Sequence, residues 1–146
     1  MATTHLPSWL PTVNRVVKAL NRLRLPTGTI HVLTLPGRSS GEPRATPVSP
    51  LTVDGRRYVI AALPQADWAR NARAAGHGEL AARGRKRAVM LVETTDAHVR
   101  RAVMRAFPTE VPHGVQFFVR LGLVHGPDPD EFAAAADRVA VFELRG

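Results

Sequence analysis

The sequence contains no cysteine, and that absence removes a whole set of structures and reactions from consideration. Neither disulfide bonds nor thiolate nucleophiles are available, and a chain without cysteine is consistent with a reducing compartment. No apolar run approaches the roughly 20 residues that a membrane-spanning helix needs. The N-terminus also lacks a basic segment followed by a continuous apolar one, so we expect no signal peptide and a cytoplasmic protein.

Aromatic residues are also few, at 5% of the chain, and their scarcity limits which anionic partners the charge of the chain could bind. The formal net charge is +8, nearly all of it from arginine, so anionic partners are favoured. With so few aromatic side chains, the protein lacks stacking platforms for single-stranded nucleic acid. We therefore expect no nucleic acid partner. The charge instead suits an anionic lipid surface or a polyanionic small molecule.

Residues for metal or acid–base chemistry are scarce. The six histidines show no metal-ligand spacing, so no metal site is predicted. The carboxylates of the first hundred residues fall mainly in predicted turns and helix caps, which gives no support to a paired-carboxylate mechanism. No dinucleotide-binding or Walker glycine motif is present. This pattern is typical of a protein whose cofactor supplies the chemistry.

The most distinctive stretch that is present spans residues 37–48, GRSSGEPRATPV. Its glycines, serines and prolines follow an apolar run that ends at Leu35, and they mark a tight connection between strands. A backbone rich in glycine and serine is expected to leave N–H groups free to cradle an anion. Arg38 and Arg44 add planar donors that suit phosphate. The stretch predicts a hairpin connection with a phosphate site; a merely solvated turn is the alternative.

Residues 37–41 also match G-x-S-x-G, the pattern of the hydrolase nucleophile elbow. That elbow needs a helix directly after the serine. Pro43 and Pro47 follow instead, and a run that holds two prolines cannot continue as a helix. We therefore reject the hydrolase interpretation.

Hydrophobic periodicity and turn residues predict the elements along the chain. We expect an amphipathic helix over residues 8–24, within an N-terminal segment of residues 1–29, and then one domain over residues 30–146. The strands predicted in that domain cover residues 30–35, 45–53, 57–62, 78–83, 85–93 and 138–144. The predicted helices cover residues 67–75, 95–107 and 130–137, with a short ambiguous helix within 111–124. Asp67 and one of Thr94 or Thr95 are the expected helix caps, and Gly76 is the expected helix terminator.

The order of these elements, hairpins with helices inserted between them, favours antiparallel pairing over a doubly wound sheet. Asp54-Gly55 is a type I′ hairpin signal. Pro47 and Pro50 indicate an edge strand or a bulge. We predict an α+β fold that is mainly β, a split antiparallel β-barrel of about six strands with peripheral helices.

Three motifs in order, GRSSG, PRATPV and DWARN at residues 67–71, resemble those of the deazaflavin-dependent nitroreductase family of actinobacterial oxidoreductases. That family lies within the split-barrel flavin-binding superfamily, and the resemblance spans roughly residues 30–93. It implies a barrel like those of flavin reductases and pyridoxamine-phosphate oxidases. It also implies hydride transfer between reduced coenzyme F-420 and an electron-poor small organic substrate.

The resemblance further implies which residues hold the cofactor. Arg38 and Arg44 would hold its phosphate or oligoglutamate tail, with Ser39 and Ser40 as further donors. The residues around the ring would be Thr46, Pro47 and Val48 from the strand, Ala61, Ala62 and Leu63 through backbone groups, and Trp68 and Asn71 from the helix. No residue is assigned to the chemical step itself.

The chain departs from the family pattern at two places. Many members carry lysine where this chain has Ser39, and many carry a glycine-rich segment and a tyrosine where it has residues 63–65 and Ala69. The alternatives therefore stay open: FMN or a haem-type ligand in the same fold, or a non-catalytic carrier of fatty acid or lipid. A homodimer is also left open.

A peripheral role at the inner face of the cell membrane is testable through residues 8–24, because their basic face would attract anionic lipid. Each basic residue close to the surface contributes at most about 1 kcal/mol, so the attachment is expected to be weak. In flotation with anionic liposomes, the full chain should float in part, and a chain without its first 24 residues should float less. Equal recovery of the two forms would remove the membrane role.

Overall fold

The computed structural model describes residues 31–146, which are organised around one seven-stranded sheet. The strands are β1 (His31–Pro36), β2 (Pro43–Val48), β3 (Leu51–Val53), β4 (Arg56–Ala61), β5 (His77–Ala82), β6 (Arg85–Glu93) and β7 (Ala140–Arg145). Their order across the sheet is β2-β1-β5-β6-β7-β4-β3, and every neighbouring pair is antiparallel. The antiparallel fold predicted from the hairpins is confirmed, with seven strands rather than about six.

The two edges of the sheet are joined by very little chain. Only Ser49 and Pro50 separate β2 from β3, yet these strands lie at opposite ends of the sheet. The sheet must therefore curl until its edges approach each other, and His31 Nε2 on β1 lies 3.5 Å from Arg57 Nη2 on β4. This geometry is a split barrel. The strand predicted over residues 45–53 is in fact these two edge strands, and Pro47 lies on an edge as expected.

Two hairpins turn through pairs of residues with positive φ. Asp54 and Gly55 have φ of 51° and 76°, and Arg83 and Gly84 have the same two values. Positive φ at both central positions is the mark of a type I′ turn, whose twist matches that of the flanking strands. The turn predicted at Asp54-Gly55 and the hairpin predicted around Gly84 are both confirmed.

The described residues also form four helices, α1 (Asp67–Ala75), α2 (Ala97–Glu110), α3 (Val115–Arg120) and α4 (Pro129–Ala134). Two of the predicted N-caps are wrong. Ala66 precedes α1 without a side-chain cap, and the carboxylate of Asp67 instead pairs with Arg38. Asp96 caps α2 by accepting hydrogen bonds from the N–H groups of the second and third helical residues. The predicted terminator of α1 is confirmed, since Gly76 has a φ of 73°.

Alternation along the strands divides the apolar side chains between two cores. The barrel core lies on the inner face and includes Leu33, Leu35, Val59, Leu80, Leu91 and Phe142, with Ala69 and Ala72 of α1 at one end. The helix core lies between the outer face of β3, β4 and β7 and the helices α2, α3 and α4. It includes Tyr58, Val103, Met104, Phe107, Phe118, Phe132 and Val141. One end of the barrel thus meets α1, and one outer face is covered by the other three helices.

The helix predicted over residues 8–24 lies outside the described residues. That helix and the boundary between residues 29 and 30 therefore stay predictions. Within residues 31–146, no helix has both the length and the apolar character needed to cross a membrane.

The packing of β1 against β5 depends on Gly78. A Cβ at this position would lie 2.6 Å from Thr34 O and 2.7 Å from Leu35 Cδ2. We expect Gly78→Ala to lower the free energy of unfolding by about 1–3 kcal/mol, because one of these groups must move. Gly126→Ala is the matched control, since nothing lies within 4 Å of its Cβ. Chemical denaturation measures both, and equal midpoints would contradict the close approach of the two strands.

Candidate functional site

The turn between β1 and β2 is closed by its own hydrogen bonds. Gly37 N–H donates to Glu42 O, and Gly41 N–H donates to Gly37 O, each at 2.8 Å. Glu42 N–H donates to Ser40 Oγ at 3.1 Å. The expectation that the glycines leave their N–H groups free for an anion is therefore wrong. Within residues 31–146, the N–H groups of Ser39 and Ser40 make no such bond, so they are the donors that remain.

Arg38 joins this turn to helix α1. Its backbone N–H and its Nη1 both donate to Asn71 Oδ1, at 3.0 and 2.9 Å. Its Nη2 makes an ion pair with Asp67 Oδ1 at 3.2 Å. Asn71 is buried, with 4% of its surface exposed, so these bonds form an interior contact between the turn and the helix. The side chain of Arg38 is held largely by the protein itself.

Arg44 is bound far less tightly. It lies on β2 opposite Leu35 of β1, and 59% of its side chain is exposed. Its nearest carboxylate is Glu42, with 3.9 Å between Nη1 and Oε2. An exposed pair at that distance contributes little, so the guanidinium of Arg44 can turn to a ligand at small energetic cost.

Helix α1 is fixed to the sheet on another side by Arg73. Its Nε and Nη2 donate to the two carboxylate oxygens of Glu93 on β6, at 2.8 and 3.1 Å. These hydrogen bonds raise the pKa of Arg73 above its ordinary value. The guanidinium also lies 5.7 Å from the ring centre of Phe142, which is 5.8 Å from the ring centre of Trp68. The indole of Trp68 therefore packs against Phe142, which Arg73 contacts in turn.

A polar cleft of about 470 Å³ opens between the turn and α1. Its walls are formed by residues of the turn, β2 and α1: Gly37, Arg38, Ser39, Ser40, Arg44, Ala45, Thr46, Asp67, Trp68 and Asn71. Asp67 is the single carboxylate among these lining residues, and Arg38 offsets its charge. The cleft is thus lined by hydroxyl, amide and guanidinium donors.

An apolar cleft of about 520 Å³ lies on the other side of Thr46 and Trp68, which line both clefts. Its walls are mainly apolar side chains of β2, β4, α2 and α3, including Val48, Ile60, Phe107 and Phe118. Two further lining residues are large, apolar and half exposed, Leu63 at 49% and Phe117 at 50%. An exposed apolar rim of this kind is typical of a ligand site.

The structure brings nearly all of the predicted site residues into these two clefts. Those that line the polar cleft are Arg38, Ser39, Ser40, Arg44, Thr46, Trp68 and Asn71. Those that line the apolar cleft are Thr46, Pro47, Val48, Ala62, Leu63 and Trp68. Ala61 borders neither, because it is 1% exposed and belongs to the barrel core. The binding role of each residue stays a prediction.

Sequence reasoning missed the aromatic wall of the apolar cleft. Phe117 and Phe118 both line it, although the segment containing them was predicted only as an ambiguous helix. A signal was present, because neighbouring residues on a helix point about 100° apart and two adjacent phenylalanines cannot both enter a core. Ser49, at the break between β2 and β3, gave no comparable signal.

A sequence model of the F-420H(2)-dependent quinone reductase family matches residues 12–115. The chain belongs to this family. It is therefore an F-420-dependent oxidoreductase, and F-420 is its cofactor. The resemblance drawn from the motifs is confirmed, and F-420 is favoured over FMN, a haem-type ligand or a carried lipid. No curated protein matches the sequence significantly.

Solved structures with the same fold have diverged far from this chain. An F-420-H2 dependent reductase, FDR-A, has a TM-score of 0.55 at 17% identity over 81% of this chain and 95% of its own. A structure described as a domain-swapped dimer has a TM-score of 0.56 at 16% identity, over 92% and 99%. A NimC/NimA family protein from Clostridium acetobutylicum has a TM-score of 0.53 at 11% identity, over 91% and 80%. These likenesses support the split-barrel fold.

The polar cleft fits the anionic part of such a cofactor. The donors that remain include the N–H groups of Ser39 and Ser40, their two hydroxyls and the guanidinium of Arg44. Backbone N–H groups and a planar guanidinium are the donors that bind phosphate and carboxylate oxygens best. Reduced F-420, when bound, supplies a hydride; the polar cleft would hold the part of it that takes no part in the chemistry.

Replacing Asn71 tests whether the turn depends on α1. Asn71→Ala removes the acceptor of two Arg38 donors, one of them a backbone N–H, and leaves them unsatisfied in a half-buried place. We expect a loss of about 1–3 kcal/mol in the free energy of unfolding. Arg70→Ala, at the preceding exposed position of α1, is the control and should stay within about 0.5 kcal/mol of wild type. Equal stability of the two variants would show that the contact does not hold the turn.

Proposed function

We propose that the protein transfers a hydride between reduced F-420 and a small, flat, electron-poor organic acceptor of the quinone class. The observation that carries this proposal is that Thr46 and Trp68 line both clefts. The two adjacent clefts would thus form one site, with donors for phosphate at its polar end and an apolar surface for flat rings at its apolar end. The polar end suits the phosphate and tail of F-420, and the apolar end suits its ring and the flat acceptor.

At the polar end, the chain would bind the anionic part of F-420 and so orient the cofactor. Arg44 can form a charge-assisted, two-point contact with a phosphate or a tail carboxylate, since its exposed guanidinium has only a loose partner. Ser39 and Ser40 add their N–H groups. Ser39 supplies no charge where many family members have lysine, so Arg44 would contribute more of the electrostatic attraction in this chain.

At the apolar end, the chain would bring the ring and the acceptor together and keep water away. Val48, Ile60 and Phe118 line the cleft with apolar side chains, and Leu63 and Phe117 line it with side chains that are half exposed. Apolar walls favour flat, weakly hydrated molecules. Exclusion of water also limits loss of the hydride to protons during transfer.

Homodimer formation and attachment to anionic membrane stay proposals beside this one. One solved structure with this fold is described as a domain-swapped dimer, which is consistent with self-association of the barrel. The mass in solution at several protein concentrations would establish the oligomeric state.

Replacing Arg44 tests whether the polar cleft binds the cofactor. A hydrogen bond to a charged group contributes about 1.5–3 kcal/mol, so Arg44→Ala should weaken F-420 binding by about tenfold to a hundredfold. Hydride transfer at saturating F-420 should change less, because the phosphate is remote from the reacting carbon. Titration of F-420 fluorescence at two salt concentrations measures this, and salt should weaken the wild type more than the variant.

Arg101→Ala is the matched control, because it removes the same charge from an exposed position on α2. Arg44 is a cleaner target than Arg38, whose loss would also release Asn71. If Arg44→Ala binds F-420 as tightly as wild type and Arg101→Ala do, the turn does not hold the phosphate.

A further inference from the structure

Two polar residues from distant parts of the chain meet at the apolar cleft. Ser49 lies at the break between β2 and β3 and lines the cleft. His113 lies in the 3-10 turn Pro112–Gly114, which joins α2 to α3. Ser49 Oγ and His113 Nε2 are 3.2 Å apart, a hydrogen-bonding distance, although 64 residues separate them in the chain.

Both residues are held by their surroundings. Pro50 follows Ser49 and restricts its backbone to an extended conformation. The turn that carries His113 packs directly on α2, since a Cβ at Gly114 would lie 2.7 Å from Phe107 Cζ. Both backbones are therefore restricted where the two side chains meet, and Ser49 presents its hydroxyl from the lining of the cleft.

The chemistry of the cleft makes this pair distinctive. Most of the lining is apolar, and the side-chain hydroxyls among the lining residues belong to Thr46 and Ser49. Thr46 lies where the two clefts meet, whereas Ser49 lies three residues further along the chain and lines only the apolar cleft. A hydroxyl in an otherwise apolar wall fixes the orientation of a ligand that carries an oxygen.

We propose that the Ser49 hydroxyl donates a hydrogen bond to the oxygen of the acceptor, and that His113 positions this hydroxyl by donating its Nε2–H to Ser49 Oγ. The inference rests on the proposed function and specifies which acceptors the apolar end would take. They are conjugated carbonyl compounds whose oxygen receives the negative charge.

Reduced F-420 would give one hydride, that is, two electrons and one proton, to the acceptor and release one further proton to water. The conjugated oxygen of the acceptor becomes negative and takes one proton from water. The two exchanges with water cancel, so the acceptor gains two hydrogens in all and F-420 is left oxidised. Ser49 would stabilise the intermediate charge as a preorganised donor.

The state of His113 is compatible with this role. Burial lowers the pKa of His113 below its ordinary value, which favours the neutral imidazole. A neutral imidazole has one N–H, and in the Nε2–H tautomer that group faces Ser49 Oγ. Ser49 then keeps its own hydrogen for the ligand.

The first test compares two acceptors. 1,4-Naphthoquinone carries conjugated oxygens, whereas N-methylphenazinium accepts a hydride and has no oxygen. Ser49→Ala should lower kcat/KM for the quinone by about tenfold to a hundredfold, less than the roughly 10²–10³ lost when one donor of a closed oxyanion hole is removed, because this cleft is partly open. The kcat/KM for the quinone divided by that for N-methylphenazinium should fall by the same factor. Ser49→Thr, which keeps a hydroxyl, should retain most of the activity on the quinone.

The second test addresses His113. His113→Ala should lower the rate of quinone reduction. His113→Gln should retain most of that rate, because an amide N–H can replace Nε2–H. The double variant Ser49→Ala with His113→Ala should reduce the quinone no more slowly than Ser49→Ala alone. F-420 fluorescence titration and thermal unfolding should show that each variant is folded and binds the cofactor. An unchanged acceptor ratio in Ser49→Ala, or additive effects in the double variant, would overturn the proposal. A wild type that reduces neither acceptor would instead count against the proposed function.

Discussion

The site depends on one buried acceptor, the side-chain oxygen of Asn71, which takes both the backbone N–H and the guanidinium of Arg38. The two residues are 33 positions apart, so this contact fixes a surface turn against a helix that follows three further strands. Without such a contact, a turn rich in glycine and serine would be free to vary its shape. Because Trp68 is carried on the same helix, the turn, the indole and the boundary between the clefts are positioned together.

Because of this contact, Arg38 and Arg44 have different roles. Arg38 is committed to the protein through Asn71 and Asp67, and Arg44 is left with a loose partner and most of its side chain in water. One cation thus builds the cleft and the other is available to a ligand. The distinction matters because the two look equivalent in the sequence, where both flank the same glycine-serine stretch.

What could be predicted from the sequence was local or carried by a motif. The turn at Asp54-Gly55 and the helix end at Gly76 follow from backbone preferences of single residues, and the motif residues met because a hairpin and the next helix bring them together. What could not be predicted arises between distant segments. Asp67 pairs with Arg38 instead of capping its helix, and Phe117 reaches the cleft only because α2 and α3 fold back over β2 and β4.

The order of strands has a consequence for how the molecule assembles during synthesis. β7 is the last strand in the sequence, yet it lies between β6 and β4 in the sheet. Until it is made, the sheet consists of two unconnected pieces, β2-β1-β5-β6 and β4-β3, each with an exposed edge. Val141 and Phe142 of β7 enter the helix core and the barrel core, so neither core is complete before then. Such late, non-local pairing slows folding, and the nascent chain must remain unaggregated with open strand edges until residue 145 has emerged.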